Sequence, residues 1–365
     1  MTNKPHIFLV LASCMLFILF CNSCASIVDA DTSLIDESRG VSMKEPPLWV
    51  FSPEKVFPDS KYLKYVGYGA DRNSAEVSAL NGLSAIFGRN VISDTGLSTR
   101  MEEVILEGNS SFIDHSVFDQ EIISKVNVNN LIGVKIKGFW TDANGTWYSV
   151  AVIDRAEVAD LYKILIQKNN DIISKLTESA NKDFYSINSM RAYDFAQEIA
   201  IENNNNLEKL FVIDYNSAKA IGKDVAAPEV YGEKQYEIAK EIPVYISIKG
   251  DVDDVYKSAF LDALSEFGFS GSTDSNVRYV IDGAVSYTME ETSDGKTSKC
   301  YYDFDSSFTD TKDGINVFPI NIHGRQAHRT ASQAKSRAVT DISNKIQSTF
   351  NEEFSKYLES DLRNN

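Results

Sequence analysis

The chain has 365 residues, 43% hydrophobic and 24% charged, which is an ordinary composition for globular domains. Its length allows roughly two or three folded domains with cores of their own. Its formal net charge of −16 at pH 7 excludes a protein that binds nucleic acid or anionic headgroups through its general surface.

An apolar run of about a dozen residues follows Ile7, a length typical of a signal-peptide core and short for a membrane-spanning helix. Lys4 precedes the run as a positive n-region, and the small residue Ser23 stands directly before Cys24. This order resembles the signal of bacterial lipoproteins. The resemblance implies cleavage before Cys24 and lipidation of its sulfur, with the membrane as a partner through the acyl chains.

The alternative is an ordinary secretory signal that is cut near Ala25 or Ser26, in which case Cys24 has no role. Cys21 is a poor lipidation site because bulky Phe20 precedes it. Each buried methylene contributes about 0.8 kcal/mol to membrane binding, so two or more acyl chains hold a protein firmly. We therefore predict a lipid-anchored protein of the cell envelope.

After cleavage, Cys24 and Cys300 are the cysteines that remain, so an acylated Cys24 leaves no intrachain disulfide to form. Cys300 lies in a strand-like run and is predicted to be a small buried hydrophobic side chain rather than a reactive thiol. The leader carries Lys4 and no acidic residue, so its removal makes the body more negative. Such a body should need its lipid to stay at a membrane, and its polypeptide is not expected to lie on one.

Residues 25–45 are polar and lack periodicity, which predicts a flexible tether that begins at the lipidated Cys24. Residues 62–69 (YLKYVGYG) predict a strand, and Asn73 with Glu76 predicts a helix that starts with a capping box. Small side chains on that helix, at Ala75 and Ala79, favour its close approach to a sheet.

Two further strands are predicted at residues 131–140 and 147–154, joined by a hairpin at Asn144-Gly145. The order PLWV, YVGYGA, Ala-rich helix, strand ending in Trp140 and WYSVAVIDR resembles the Lpp-twenty lipoprotein domain. That domain resembles the N-terminal part of flagellar assembly protein T. The resemblance covers residues 46–155 and implies a sheet with a helix packed across it on an outer-membrane lipoprotein. It brings no catalytic residues.

The span from Arg155 to about Lys240 carries apolar stripes at helical spacing and is predicted to be helical, with a polar break between helices at residues 203–206. It serves either as a connector or as a docking surface. From Ile242 onward the pattern predicts a β-α-β-β-β-α unit, with Asp251 capping its first helix and Thr330 capping its last.

The predicted fold class is therefore α+β, with two small sheet-plus-helix domains joined by a helical segment after a lipoprotein signal peptide. The predicted divisions are a leader (1–23), a lipidated tether (24–45), an Lpp-twenty-like domain (46–155), a helical connector (156–240), a C-terminal α+β domain (241–358) and a tail (359–365).

Three patterns suggest chemistry, and each has a simpler explanation. Gly67-x-Gly69 before a helix suggests a dinucleotide loop, but the third glycine would fall at Arg72, so a tight turn is favoured.

Four aspartates near Gly314 suggest a calcium site, although the order of ligands in an EF-hand is not met and alternation on a strand explains the first two. They are Asp303, Asp305, Asp310 and Asp313.

His323 and His328 are the third pattern, a pair that lacks a third ligand nearby, and His115 is isolated. We predict no catalytic, metal or cofactor residue and a non-enzymatic protein that contacts other envelope proteins. The alternatives are a ligand- or glycan-binding lipoprotein that uses a cleft between its two α+β units, a flagellar assembly accessory factor, and a hydrolase built on the two histidines.

The change Cys24→Ser should abolish the incorporation of labelled palmitate and release the protein from membranes, because the acyl chains then have no sulfur to join. Metabolic labelling and membrane fractionation measure both effects. Unchanged labelling of the variant would contradict the lipoprotein interpretation.

Overall fold

The computed structural model describes residues 45–87, 131–293 and 295–359. Within these ranges the chain forms two sheet-plus-helix units joined by helices, so the predicted α+β class is confirmed. Nearly all of the predicted tether and tail, the whole leader, and with them Cys24 and His115, lie outside the described residues. Among the helices within these ranges, none combines the length and the apolarity needed to cross a bilayer.

The N-terminal unit is a three-stranded antiparallel sheet in the order β1-β3-β2. Its elements are α1 (Leu48–Phe51), α2 (Pro53–Val56), β1 (Tyr62–Gly69), α3 (Arg72–Ala85), β2 (Lys135–Thr141) and β3 (Trp147–Asp154). The predicted hairpin is present: the backbone N–H groups of Asn144 and Thr146 each donate to Asp142 Oδ1 at 2.9 Å. Gly145 takes the positive φ of +82° that such a turn requires.

Helix α3 lies directly against β1, as its small residues predicted. A Cβ added to Gly67 would come within 2.6 Å of the carbonyl oxygen of Ala75, so only glycine fits at this contact. The predicted capping box is wrong, because Asp71 rather than Asn73 is the N-cap, and its side chain accepts from the backbone N–H of Ser74 at 2.8 Å.

The other face of this sheet is covered by α1. Its core cluster consists of Trp49, Val50, Trp140, Val150 and Val152. The Trp49 indole lies over Gly138, where an added Cβ would be 3.1 Å from the ring. The sheet therefore packs against a helix on each face, although it has only three strands, and parts of it, such as Tyr68, stay exposed.

Helices follow directly: α4 (Arg155–Ala180), a 3₁₀ turn (Asn181–Asp183), α5 (Ile187–Ile213), α6 (Tyr215–Ile221) and α7 (Glu229–Lys240). The predicted break at residues 203–206 is wrong, because these residues continue α5. Asn203 is fully buried, and its Nδ2 donates to Asn170 Oδ1 at 2.9 Å and to the carbonyl oxygen of Ile166 at 3.3 Å. These contacts with α4 offset the low helix propensity of asparagine.

Helices α4 and α5 each contribute to two cores. The first half of α4 and the last turns of α5 pack with the N-terminal sheet, through Val158, Ile166 and Leu210 among others. The second half of α4 and the first half of α5 pack with the C-terminal unit, through Ile172 and Ile199 among others.

The C-terminal unit has a five-stranded sheet in the order β5-β4-β6-β7-β8. Its elements are β4 (Pro243–Lys249), α8 (Val255–Glu266), β5 (Ser270–Ser272), β6 (Tyr279–Glu291), β7 (Ser298–Asp310), β8 (Ile315–His328) and α9 (Ala331–Glu359). Strand β4 runs parallel to both neighbours, and the other pairs are antiparallel. The sequence prediction missed β5, because three residues are too few to show an alternation.

The predicted cap of α8 is wrong in position, because Asp254 rather than Asp251 is the N-cap. The Asp251 carboxylate still accepts from the backbone N–H groups of Tyr256 and Lys257 at 3.1 and 3.0 Å. The predicted cap at Thr330 makes its contact. The N–H of Gln333 donates to Thr330 Oγ1 at 3.4 Å.

One face of the five-stranded sheet packs on α8 and α9 in a core rich in phenylalanine. The buried stripe of α9 consists of Ala334, Ala338, Ile342, Ile346, Phe350, Phe354 and Leu358. Phe354 meets Phe267 edge to face at a centroid distance of 4.6 Å, and it stacks on Phe350 at 5.8 Å. Cys300 is fully buried, as predicted, and burial raises the pKa of its thiol.

The change Gly67→Ala should lower the free energy of unfolding by about 1–3 kcal/mol, because the added methyl group overpacks the contact between β1 and α3. Chemical denaturation measures the loss. The matched control is Gly145→Asn, since nothing lies within 4 Å of an added Cβ there and asparagine tolerates a positive φ. Equal stability of the two variants would contradict this account of the contact.

Candidate functional site

The four aspartates that suggested calcium do not come together. Asp303 and Asp305 are exposed on the outer face of β7, as the alternation predicted. Asp310 is buried and bound to Arg278, with Nε and Nη2 at 2.9 and 2.7 Å from its carboxylate. Within residues 45–87, 131–293 and 295–359, no three His, Cys, Asp or Glu side chains are grouped to hold a metal ion.

The two histidines of β8 do not form a pair. Residues five apart on a strand point to opposite faces of the sheet. His323 is exposed, with Nδ1 at 3.0 Å from Asp303 Oδ1, whereas Nδ1 of His328 is buried. A hydrolase that uses both histidines together is therefore not supported by their placement.

The glycines before α3 do not prepare a phosphate site. A phosphate would need the free N–H groups at the start of the helix. The Asp71 carboxylate already accepts from this turn, and its hydrogen bond with the Ser74 backbone lowers the pKa of Asp71, so it stays negative. A second negative group there would be repelled.

Tyr302, Asp341 and Lys345 form a cluster that the sequence analysis missed. Lys345 Nζ donates to Asp341 Oδ2 at 2.9 Å and to the Tyr302 hydroxyl at 3.1 Å, and that hydroxyl also bonds Asp341. Gly324 makes room, since an added Cβ would overlap the Tyr302 hydroxyl. The i,i+4 spacing of Asp341 and Lys345 is a sequence signal, but only the sheet brings Tyr302 to it.

The pKa shifts in this cluster keep each group in its usual charge state at neutral pH. Burial raises the pKa of Asp341, but hydrogen bonds from Tyr302 and Lys345 outweigh burial, so the net shift is downward. The hydrogen bond with Asp341 raises the pKa of Lys345, and burial raises that of Tyr302. A general acid or base works best with a pKa near the operating pH, and each of these three shifts moves the pKa farther from neutral pH. The hydrogen bonds of the cluster join α9 to β7.

A second polar cluster joins the helices to the C-terminal sheet. Arg278, on the segment before β6, binds Asp310 on β7 and also Asp183 in the 3₁₀ turn, with its Nη1 at 2.7 Å from Asp183 Oδ2. Burial raises the pKa of Asp183, but hydrogen bonds from Arg278 and Lys312 outweigh it and lower that pKa overall. Arg278 is thus paired with Asp183 and Asp310, and Lys312 is paired with Asp183.

A small cavity lies beside this cluster. It is lined by Ile187, Asn188, Tyr279, Asp310, Ile315, Val317 and Tyr357. Its volume of about 10 Å³ leaves room for roughly one water molecule. A metabolite or a sugar does not fit this cavity.

The remaining candidate is a surface of the N-terminal sheet. Tyr68, Tyr148 and Trp140 are neighbours in one cross-strand row of β1, β3 and β2. The Trp140 and Tyr148 rings are 5.3 Å apart, Trp140 is buried, and Tyr68 is 68% exposed. We call these three residues the aromatic row. Tyr68 is its exposed member, at the end of the sheet farthest from the start of α4, and the half-buried Tyr148 and the buried Trp140 lie beside it.

The exposed large apolar side chains of the described residues are unevenly distributed. Those of the N-terminal unit are Leu48, Phe51, Tyr65, Tyr68, Val77 and Ile86. The C-terminal unit, which is larger, shows Val252 and Met289. The helical segment between the units shows Ile164, Tyr185, Ile201, Phe211, Tyr215, Val230 and Tyr236. Contiguous exposed apolar patches mark sites of interaction. Within the described residues, the N-terminal unit and the helical segment are therefore better candidates for contacts with a partner than the C-terminal unit is.

Comparison with known proteins gives distant structural neighbours. No protein-family model and no curated protein matches the chain, so the Lpp-twenty resemblance stays a prediction. A secreted protein of Helicobacter pylori has a TM-score of 0.35 at 16% identity, over 80% of this chain and 97% of its own.

Two named lipoproteins are similar over about a third of this chain. The minor lipoprotein of Acinetobacter baumannii matches 33% of this chain and 94% of its own, with 13% identity and a TM-score of 0.23. Rare lipoprotein B of Shewanella oneidensis matches 31% and 92%, with 12% identity and a TM-score of 0.22. These TM-scores lie below 0.5, so the likeness establishes neither a shared fold nor a shared function.

Replacing Asp341 with Asn should lower the free energy of unfolding at pH 7 by about 1–3 kcal/mol, because the variant loses charge-assisted hydrogen bonds. The folded-state pKa of Asp341 lies below its ordinary value of 3.8, so its contribution is present above that value and is lost as the pH falls below it. Denaturation of both proteins across this pH range should show the difference shrinking toward acid.

The control for that series is Asp303→Asn, because Asp303 is exposed and its pair with His323 is screened by solvent. This control should change stability little at any pH. An Asp341→Asn deficit that does not depend on pH would contradict the assigned role of the carboxylate.

Proposed function

We propose that this protein is a lipid-anchored protein of the bacterial outer membrane that acts without catalysis, through contacts with other proteins in the assembly of the envelope or of a surface structure. The acyl chains on Cys24 hold it at the membrane. The aromatic row of the N-terminal sheet contacts the partner. The observation that carries the proposal is the exposure of Tyr68 beside the fixed rings of Tyr148 and Trp140.

Tyrosine and tryptophan dominate the binding energy of many protein interfaces, because they bury large areas and lose little conformational entropy. The backbone of Tyr68 is held in place, since its strand pairs with β3 along all eight of its residues. A partner surface would therefore meet Tyr68 at a defined position. An interaction of this kind needs no deep pocket.

Arg155 links the N-terminal sheet firmly to the helices, which supports a role in protein contacts. Arg155 donates from Nε to the carbonyl oxygen of Asp59 at 2.9 Å and from Nη1 to those of Val212 and Ile213 at 2.8 and 2.6 Å. It thereby joins the loop before β1 to the last turn of α5. A partner bound to the sheet would then act on the helices as well.

The flagellar accessory factor is the more specific form of this proposal, and the resemblance of the PLWV to WYSVAVIDR order to flagellar assembly protein T supports it. The identity of the partner protein distinguishes this form from the general one.

Ligand or glycan binding is a second candidate, which would show as a rise in melting temperature with the bound compound.

A photo-crosslinking residue in place of Tyr68 should capture a specific envelope protein in intact cells, because the aromatic row is the proposed contact. The matched control carries the same residue in place of Val252, which is 66% exposed in the C-terminal unit against 68% for Tyr68. Mass spectrometry of the adducts identifies the partner. Capture of the same proteins from both positions, or from neither, would count against this surface.

A further inference from the structure

Leu48 and Phe51 are exposed apolar residues at the point where the described chain begins. They are 56% and 71% exposed, among the most exposed large apolar residues of the described part of the chain. Both belong to the single turn of α1, three residues apart, so their side chains are neighbours on one side of that turn.

The fold forces this exposure. Trp49 and Val50, the other two residues of α1, are each 7% exposed and belong to the core over the sheet. The backbone N–H of Val50 donates to the carbonyl oxygen of Pro47 at 3.0 Å, and that of Ser52 donates to the carbonyl oxygen of Leu48 at 2.9 Å. With one side of the turn buried, Leu48 and Phe51 must project from the other.

We propose that Leu48 and Phe51 rest on the lipid bilayer to which the chain is anchored, as a contact of the polypeptide with the membrane. This inference rests on the proposed function, because it needs the acyl chains on Cys24. The tether between Cys24 and Pro46 has about twenty residues and spans at most roughly 70 Å when extended. Leu48 and Phe51 are then the first exposed apolar residues of the folded body that the membrane meets.

The tether turns this contact into an intramolecular event. Two apolar side chains alone bind a bilayer weakly, but a short flexible linker raises the effective concentration of the surface to the millimolar range. Even a weak preference for the interface is then populated. The lipid holds the protein, and the Leu48 and Phe51 contact sets its orientation.

Local charge permits this contact, although the chain as a whole is strongly acidic. The acids and bases of residues 45–64 balance: they are Glu45, Glu54 and Asp59 against Lys55, Lys61 and Lys64. Lys55 and Lys61 are exposed, as are Glu45, Glu54 and Asp59, and exposed lysines beside inserted apolar side chains are typical of segments that lie in the membrane interface. The excess negative charge of the chain comes from residues outside 45–64.

The test uses the full chain, produced in a bacterium that lipidates it and reconstituted into phosphatidylcholine vesicles containing some phosphatidylglycerol. The phosphatidylcholine carries bromine on its acyl chains, which quenches nearby indoles. Phe51→Trp is the reporter and Val252→Trp the matched control, and the emission of the native tryptophans is subtracted using the unsubstituted chain. Circular dichroism and melting should be unchanged, because both sites are exposed.

Interfacial apolar residues sit about 5–10 Å into the boundary between headgroups and acyl chains. We therefore expect bromine to remove much of the added emission of Phe51→Trp and little of that of Val252→Trp. Adding Leu48→Asp to the reporter should restore the emission, because a carboxylate is costly to desolvate. Adding Val252→Asp instead should not restore it.

Flotation with the vesicles separates the two proposals. If the chain floats and the two reporters are quenched alike, the contact is wrong and the lipid anchor stands. A photo-crosslinker at position 51 that captures a protein rather than lipid would also overturn the contact. If the chain does not float, the lipid anchor is wrong and this inference fails with it.

Discussion

The structure depends on a pair of long helices that bury apolar side chains in two different sheets. Helix α4 begins at Arg155, directly after the last residue of β3, so the strand sets the direction of the helix. Arg155, the first residue of α4, then neutralises the carbonyl ends of α5 with its guanidinium. Because α5 returns antiparallel to α4, the pair reaches from one core to the other and back.

A layer of asparagine separates those two cores along the helix pair. Asn169 is buried between Ile166 and Ile172 of α4, and Asn203 and Asn206 are buried between Ala200 and Leu210 of α5. A buried polar layer weakens the packing but fixes which turn of one helix faces which turn of the other. Asn203 bonds the Ile166 carbonyl and Asn170 of α4, so these hydrogen bonds fix the register of the helix pair between its two apolar cores.

The polar clusters of the C-terminal unit also hold separate elements in position through hydrogen bonds. Each links two elements that the chain order separates widely, as Asp183 and Arg278 do across the 3₁₀ turn and the sheet. Their opposite charges are paired. The pKa values of Asp183 and Asp341 are both lowered, so these carboxylates stay charged at neutral pH. The exposed large apolar side chains of the described residues lie mostly on the N-terminal unit and the helices.

The sequence by itself determined the α+β class, the order of most elements and the buried face of α9, because periodicity reports directly which residues face a core. It also predicted the close approach of α3 through Ala75 and Ala79 and the burial of Cys300, but it took Gly67 for a turn residue, whereas the structure places Gly67 inside β1 against α3. Only the tertiary structure decided that residues 203–206 continue a helix, since their hydrogen bonds go to α4. It likewise decided that β8 extends to His328 by pairing with Ser298, which turns His323 and His328 to opposite faces, and that Phe51 is exposed beside buried Trp49. Contacts between distant segments fix these outcomes.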